Sequence, residues 1–331
     1  MDRDDAGERR AAVRTRVAEL NRGEVMAKIV KPTWIVTHHG RNIHVVKETA
    51  PQLKNWERWI LVLSDVHFDG ECDRPVLKRL LQTAVKRDAM IISNGDWYDL
   101  CQGRSDARQD KARLRSNLAA TAYFDECIDE TASFLCDEVP GAAERFVFFG
   151  AGNHETSWSR HHETCPISHT VRALKSKCKT TQVGAGGYGG WMKVQLQAGI
   201  NHLTFTMKYF HGAGGGFGAA KNMFSWIESC DAIICGHDHN TNIIGVQREY
   251  LSSQNGAYRV HNRFCSFIRV GTLAKGYKDG AQGYEAQLGS GPKPCRQKWI
   301  RLFVDYELQK ATTSNRSVMR PRMNWEVTDA Q

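Results

Sequence analysis

Eight residues in five short segments could do chemistry together. They are Asp65 and His67 in "SDVHFDG", Asp96 in "NGDWYD", Asn153 and His154 in "GNHE", His211 in "YFHG", and His237 and His239 in "GHDH". Carboxylate and amide oxygens combined with neutral imidazoles form a donor set for divalent cations such as Mn, Fe or Zn. In an extended segment, residues two apart point the same way. His237 and His239 can therefore converge on one target while Asp238 faces elsewhere. A histidine pair taken alone is equally well a surface or hydrogen-bonded pair. Five motifs in order, each closing a β-like run, make a stronger signal.

The elements that must position these residues can be read from the pattern. "WERWILVLSD" is a hydrophobic strand that delivers Asp65, and the periodicity predicts a helix over Arg74 to Lys86. "AMIISNGD" is a second buried strand, Gln109 to Cys136 a long helical region, and "RFVFFGAGNHE" a third strand. "WMKVQLQ" and "HLTFTMKYFHG" alternate as half-buried strands, "FGAAKNMFSWIES" reads as a helix, and "DAIICG" is another buried strand. "NIIGVQ", "YRVHNR", "SFIRVG" and "KWIRLFV" follow as further strands, the first three antiparallel. This order predicts an α/β chain, a four-layer α-β-β-α sandwich of two mixed sheets flanked by helices, with ligands gathered beyond the carboxyl ends of strands.

The motif order DxH, GDxxD, GNH[DE], H, GHxH resembles that of the calcineurin-like metallophosphoesterases. That superfamily includes protein Ser/Thr phosphatases, nucleotide phosphodiesterases and Mre11/SbcD-like nucleases. Here the motifs stand as "DVH", "GDWYD", "GNHE", His211 and "GHDH", spanning residues 65 to 239 with none missing. The resemblance implies two metals: Asp65, His67 and His239 on one, Asn153, His211 and His237 on the other, and Asp96 bridging. It implies hydrolysis of a phosphoester by a metal-bridging hydroxide, with His154 facing the leaving group and Asp99 orienting it. Mn is the metal to supply in an assay. The protein phosphatase branch continues GDxxD with Arg-Gly, whereas Leu100, Cys101 and Gln102 follow Asp99 here. A phosphodiesterase acting on DNA, RNA or a nucleotide is therefore expected. The alternatives are a phosphomonoesterase on a small metabolite and a nucleic-acid-binding module with a structural metal site.

The cluster "HGAGGGFG" places Gly214 and Gly215 where backbone amides could contact a phosphate, or where a tight turn carries His211. Arg160, in "SRHHETCPISH" with His161, His162 and His169, is a candidate substrate contact. His38, His39 and His44 lie outside the motif order and are expected at the surface. Trp97 and Tyr98 either wall the site or pack beneath it.

A length of 331 residues with 41% hydrophobic and 9% aromatic content supplies a packed core and excludes a disordered chain. Ten cysteines without a CxxC pair read as free thiols, and the start "MDRDDAGERRAAVRTR" lacks a secretory signal's apolar stretch. No run approaches a membrane span, so a cytoplasmic protein with no membrane partner is expected. A net charge of +9 favours acidic partners without a clean basic block. The expected organisation is an N-terminal helical and polar appendage over 1–55, a catalytic domain over 56–305 and a tail over 306–331. Oligomeric state is not legible.

Overall fold

The computed structural model describes residues 31–70, 72–100, 123–212, 230–254, 257–275, 296–310 and 317–330. The chain divides into two compact units, Met1–Lys31 and Pro32–Gln331. All that follows concerns the second.

Among the described residues thirteen strands run β1 (Trp34–His39), β2 (Ile43–Thr49), β3 (Glu57–Leu63), β4 (Met90–Asn94), β5 (Phe146–Gly150), β6 (Gly184–Ala185), β7 (Gly189–Ala198), β8 (Asn201–Phe210), β9 (Ala232–Cys235), β10 (Asn242–Gln254), β11 (Ala257–Arg269), β12 (Gln297–Lys310) and β13 (Ser317–Ala330). The described α-helices are α1 (Arg74–Lys86), α2 (Tyr123–Ser133), α3 (Asn153–His162) and α4 (Pro166–Lys177). The strands form two mixed sheets, one ordered β1-β2-β7-β8-β9-β11-β10 and the other β13-β12-β3-β4-β5-β6.

Strand alternation decides which core each residue joins. In β3, Ile60 and Val62 turn toward the other sheet, where they meet Val46, Val194, Phe205 and Met207. Their neighbours Leu61 and Leu63 turn toward Leu77, Leu81 and Leu174 of the helices. This is a sandwich with one core between the sheets and another beneath the described helices. α1 illustrates the local rules: Asp73 accepts from Val76 N at 3.4 Å to cap it, and Pro75 stands in its first turn. Leu77, Leu80, Leu81 and Ala84 form its buried stripe.

Two expectations need correction. Residues 34–49, assigned to an appendage, are strands β1 and β2, with β2 paired parallel to β7. Residues 317–330, assigned to a tail, are β13, paired along its whole length with β12. Both segments alternate polar with apolar residues, which reads as polar sequence until a sheet supplies the covered face. "YRVHNR" and "SFIRVG" are one continuous strand, β11. The predicted helix over 217–229 lies outside the described residues, as does the segment 8–29. Among the described residues no helix is long and apolar enough to cross a membrane. The eight described cysteines are free thiols, and four of them are buried.

Candidate metal centre

β3, β4 and β5 run parallel in one sheet, β8 and β9 parallel in the other, and all five carboxyl ends open on one region. The loops after β3 and β4 zip together: Asp65 N donates to Gly95 O at 3.1 Å, and Val66 N to Asp96 O at 2.8 Å. From the other sheet, His237 N donates to both carboxylate oxygens of Asp65, at 3.1 and 3.0 Å. Asp65, His67, Asp96, His237 and His239 have φ of 51°, 49°, 47°, 90° and 58°. Side-chain-bearing residues seldom occupy this left-handed region, at a cost of roughly 1–2 kcal/mol each. The surrounding hydrogen bonds hold them there.

Among the described residues three candidate ligand groups result, one of them His67 with Asp99 and His154, and the other two built on Asp65 and on Asp96. The donor atoms of Asp65, His67 and His239 lie within 4.8 Å of one another, as do those of Asp96, His211 and His237. Asn153 Oδ1 joins the Asp96 group, 2.7 Å from His237 Nδ1 and 3.2 Å from His211 Nε2. His211 Nε2 also lies 2.9 Å from Asp96 and 3.8 Å from Asp65, so the groups adjoin.

The donor set fits divalent cations on two counts. His67 Nδ1 lies 3.1 Å from Asp99 Oδ1, and His211 Nδ1 lies 2.8 Å from the carbonyl of Asn94. Both partners can only accept, so each Nδ1 carries a hydrogen and Nε2 is the ring atom that would turn to a cation, its own proton displaced on binding. His67 Nε2 is buried with no hydrogen-bond partner.

The second count is electrostatic. Burial pushes His67 down, but the charges of Asp99, Asp96 and Asp65 outweigh it and raise the ring to about 9. Burial also lowers His211, while Asp96 and Asp65 raise it to about 10. Asp65 is pushed up by burial and held down, at about 2, by His211 and His239. Asp96 shows the same contest and ends well below the usual carboxylate range. Buried carboxylates that keep protons on imidazoles would hold metal ions in the same places.

His154 N donates to Asp96 Oδ1 at 3.0 Å, and His154 Nδ1 meets the carbonyl of Asp99 at 2.5 Å. The Asp99 carboxylate is 3.5 Å from His154 Nδ1, farther than from His67. Orientation of His154 thus comes chiefly from the Asp99 backbone, and the side chain also serves His67. His154 Nε2 sits 3.8 Å from Asp96 Oδ2, at the edge of the ligand cluster.

Several supporting residues escaped the motif reading. Buried Glu155 accepts from Gly152 N at 2.7 Å, Asp96 N at 3.1 Å and Tyr98 N at 3.0 Å, tying the β4 and β5 loops together. Buried Asp69 accepts from Asp99 N, Leu100 N and the hydroxyl of Tyr123. Glu155 stands inside "GNHE" and Asp69 in "DVHFDG", so adjacency to ligands was the available signal. Trp97 packs beneath the site against Phe68, Phe146 and Phe149, and the Tyr98 hydroxyl meets Thr170 at 2.8 Å. Asp238 pairs with Arg269 at 2.8 Å. Arg160 is an exposed residue of α3, near enough to Tyr188 for its charge to be felt there. His162 packs on Trp158. Gly214 and Gly215 lie outside the described residues. The expectation of surface histidines fails for His44, which is fully buried.

No protein-family model matches this chain. No curated protein matches it. Solved structures similar to it include Vacuolar Protein Sorting 29 from Cryptosporidium parvum, at 12% identity and TM-score 0.34, covering 82% of this chain and 100% of that one. Vps29 from Chaetomium thermophilum is similar at 8% identity and TM-score 0.31, covering 83% of this chain and 100% of its own. The Thermotoga maritima protein TM1076 is similar at 14% identity and TM-score 0.27, covering 80% and 98% respectively. Likenesses at these values carry nothing about substrate or residue roles.

Proposed function

We propose that this chain is a dinuclear metal-dependent phosphoester hydrolase and, within that class, a phosphodiesterase acting on nucleic acid or nucleotides. One observation carries the reading: two adjoining ligand groups, Asp65 with His67 and His239, and Asp96 with His211 and His237, stand at converging strand ends. Asp65, His67 and His239 would hold one cation, Asn153, His211 and His237 the other, with Asp96 shared between them. Two bound divalent cations supply Lewis-acid polarisation of a phosphoryl oxygen and lower the pKa of water toward neutrality. The chain's own residues do the rest. Asp99 and the Asn94 carbonyl hold the tautomers of His67 and His211, while the β-sandwich keeps Asp65 and His211 away from bulk water. His154, anchored through Nδ1 and with Nε2 at the edge of the ligand cluster 3.8 Å from Asp96 Oδ2, would donate a proton from Nε2 to the departing oxygen.

The diester preference draws on Leu100, Cys101 and Gln102, which replace the Arg-Gly of the protein phosphatase pattern, and on the net charge of +9. The test is a panel of bis-p-nitrophenyl phosphate, p-nitrophenyl phosphate and single- and double-stranded DNA with added Mn²⁺. Diester turnover, lost in Asp96→Asn, is expected. In His154→Ala turnover should fall about 10²–10⁴-fold with bound metal unchanged. Monoester-only activity would sink the diester assignment. Salt-sensitive DNA binding without turnover would replace the enzyme with a binding module.

A further inference from the structure

The end of the sandwich opposite the ligand cluster carries two projecting hairpins. β11 pairs with β9 only over Ser266 to Arg269, so its residues 257–265 run past the start of β9 beside β10 alone. β12 pairs with β3 only over Lys298 to Phe303, so its residues 304–310 run past Glu57, the first residue of β3, beside β13 alone. Both β3 and β9 present ligands at their carboxyl ends, which puts the two arms at the other end.

Register fixes which faces the arms show. In the β12–β13 arm, Leu302 opposes Trp325, Val304 Met323, Tyr306 Pro321 and Leu308 Met319, giving one apolar face that continues outward from the core between the sheets. Its reverse face is charged, with Arg322 paired to Glu307 at 3.6 Å and Arg301 to Glu326 at 3.4 Å. In the β10–β11 arm, Phe264, Leu251, Val260 and Tyr258 share the face of core residue Ile268. Where the arms leave the sandwich these faces touch: Trp325 packs on Phe264 with ring centroids 5.9 Å apart and donates to Ser266 Oγ at 3.0 Å. Leu251, Tyr258, Val260, Phe264, Tyr306, Leu308 and Met319 are exposed by between 41% for Tyr306 and 71% for Tyr258.

We propose that these arms form a homodimer interface in which the apolar faces of one copy clasp those of a second copy of this chain. Two observations select that occupant. At Trp325 and Phe264 the two faces already pack on each other within one chain, and a second copy brings both faces. The seven side chains, divided between the two arms, leave roughly 800 Å² of mostly apolar surface uncovered, about the ~800 Å² per partner of a standard specific interface. A two-fold arrangement closes such an interface without leaving a face open for further copies.

Sedimentation velocity on the full chain over about 1–100 μM tests this. A monomer–dimer equilibrium is expected, weakened at least tenfold by Leu308→Asp on one arm and separately by Leu251→Asp on the other. Bis-p-nitrophenyl phosphate hydrolysis should be unchanged in both variants, as should the melting temperature taken at a concentration where wild type is monomeric, because the replaced side chains are exposed in the single chain and far from the ligands. Should one variant melt early, the other arm's variant carries the measurement. A monomer throughout the range, or a dimer indifferent to both substitutions, overturns the proposal. The readout is mass, so it stands or falls apart from the assigned chemistry.

Discussion

Glu155 illustrates the site at residue scale. Burial first, then the charge of Asp96, pushes its carboxyl up to about 7, while the amides of Tyr98 and Gly152 oppose the rise. Its two oxygens take three backbone hydrogens, so Glu155→Gln must turn its amide NH₂ against at least one N–H donor. The variant is expected to lose about 1–3 kcal/mol of stability and to bind Mn²⁺ some 10–100-fold more weakly, read by thermal melting and equilibrium dialysis. Unchanged metal affinity would reduce Glu155 to a helix cap. The ligand types were legible at this scale because a metal dictates its donors. Acceptors for loop amides were not, since any buried carboxylate can serve and only packing selects one.

At the scale of elements, the site depends on loops approaching more closely than a Cβ allows. A methyl on Gly152 would meet Asp96 Oδ1 at 2.0 Å, and one on Gly236 would meet Ser64 Oγ at 2.0 Å. Gly152 joins the β4 and β5 loops within one sheet, whereas Gly236 lets the β9 loop of the other sheet reach Asp65. Gly152→Ala is therefore expected to keep the circular dichroism of the folded chain and lose metal-dependent turnover by at least tenfold; wild-type kinetics would show that the loops have slack. Buried strands such as β4 and β9 were readable as continuous apolar runs. β1, β2 and β13 were missed because each alternates polar with apolar residues and borrows its covered face from a neighbour: "IHVVKET" looks like a connection until β7 lies beside it.

At the scale of the molecule, a histidine chain ties the sheets together and makes stability depend on acid. His38 Nε2 faces the carbonyl of Gln182 at 2.8 Å, His38 Nδ1 faces His44 Nδ1 at 2.8 Å, and His44 Nε2 meets the Tyr209 hydroxyl at 3.0 Å. Because the Gln182 carbonyl can only accept, His38 carries its hydrogen on Nε2 and His44 donates from Nδ1, while the Tyr209 hydroxyl lies between His44 Nε2 and the Arg41 carbonyl, to which it donates at 3.3 Å. An added proton on His38 would set its Nδ1–H against that of His44. His44 also stacks on Phe148 of the other sheet, and burial, followed by the charge of His38, lowers it to about 3. Unfolded, the ring takes its proton near 6.5; folded, only near 3. The unfolded chain therefore binds the proton first, so this stability is present above about 6.5 and is lost as pH falls toward 3. Denaturant melts should lose about 1.4 kcal/mol per pH unit for this one proton across that window, and His44→Phe should flatten the slope by that amount. An unaltered slope in the variant would show that other groups govern acid unfolding.

The sequence by itself determined the donor types, their order and the strands that end in them, because metal chemistry restricts residue choice and buried strands must be apolar throughout. Which donors meet was implied by the motif resemblance and not by local spacing, and tertiary contacts bring it about. His237 and His239 fall into different ligand groups, one beside Asn153 and the other beside Asp65, although only one residue separates them. Asp238 turns instead to Arg269. Such assignments depend on the approach of two sheets whose strands are far apart in sequence, and local spacing holds no record of that approach.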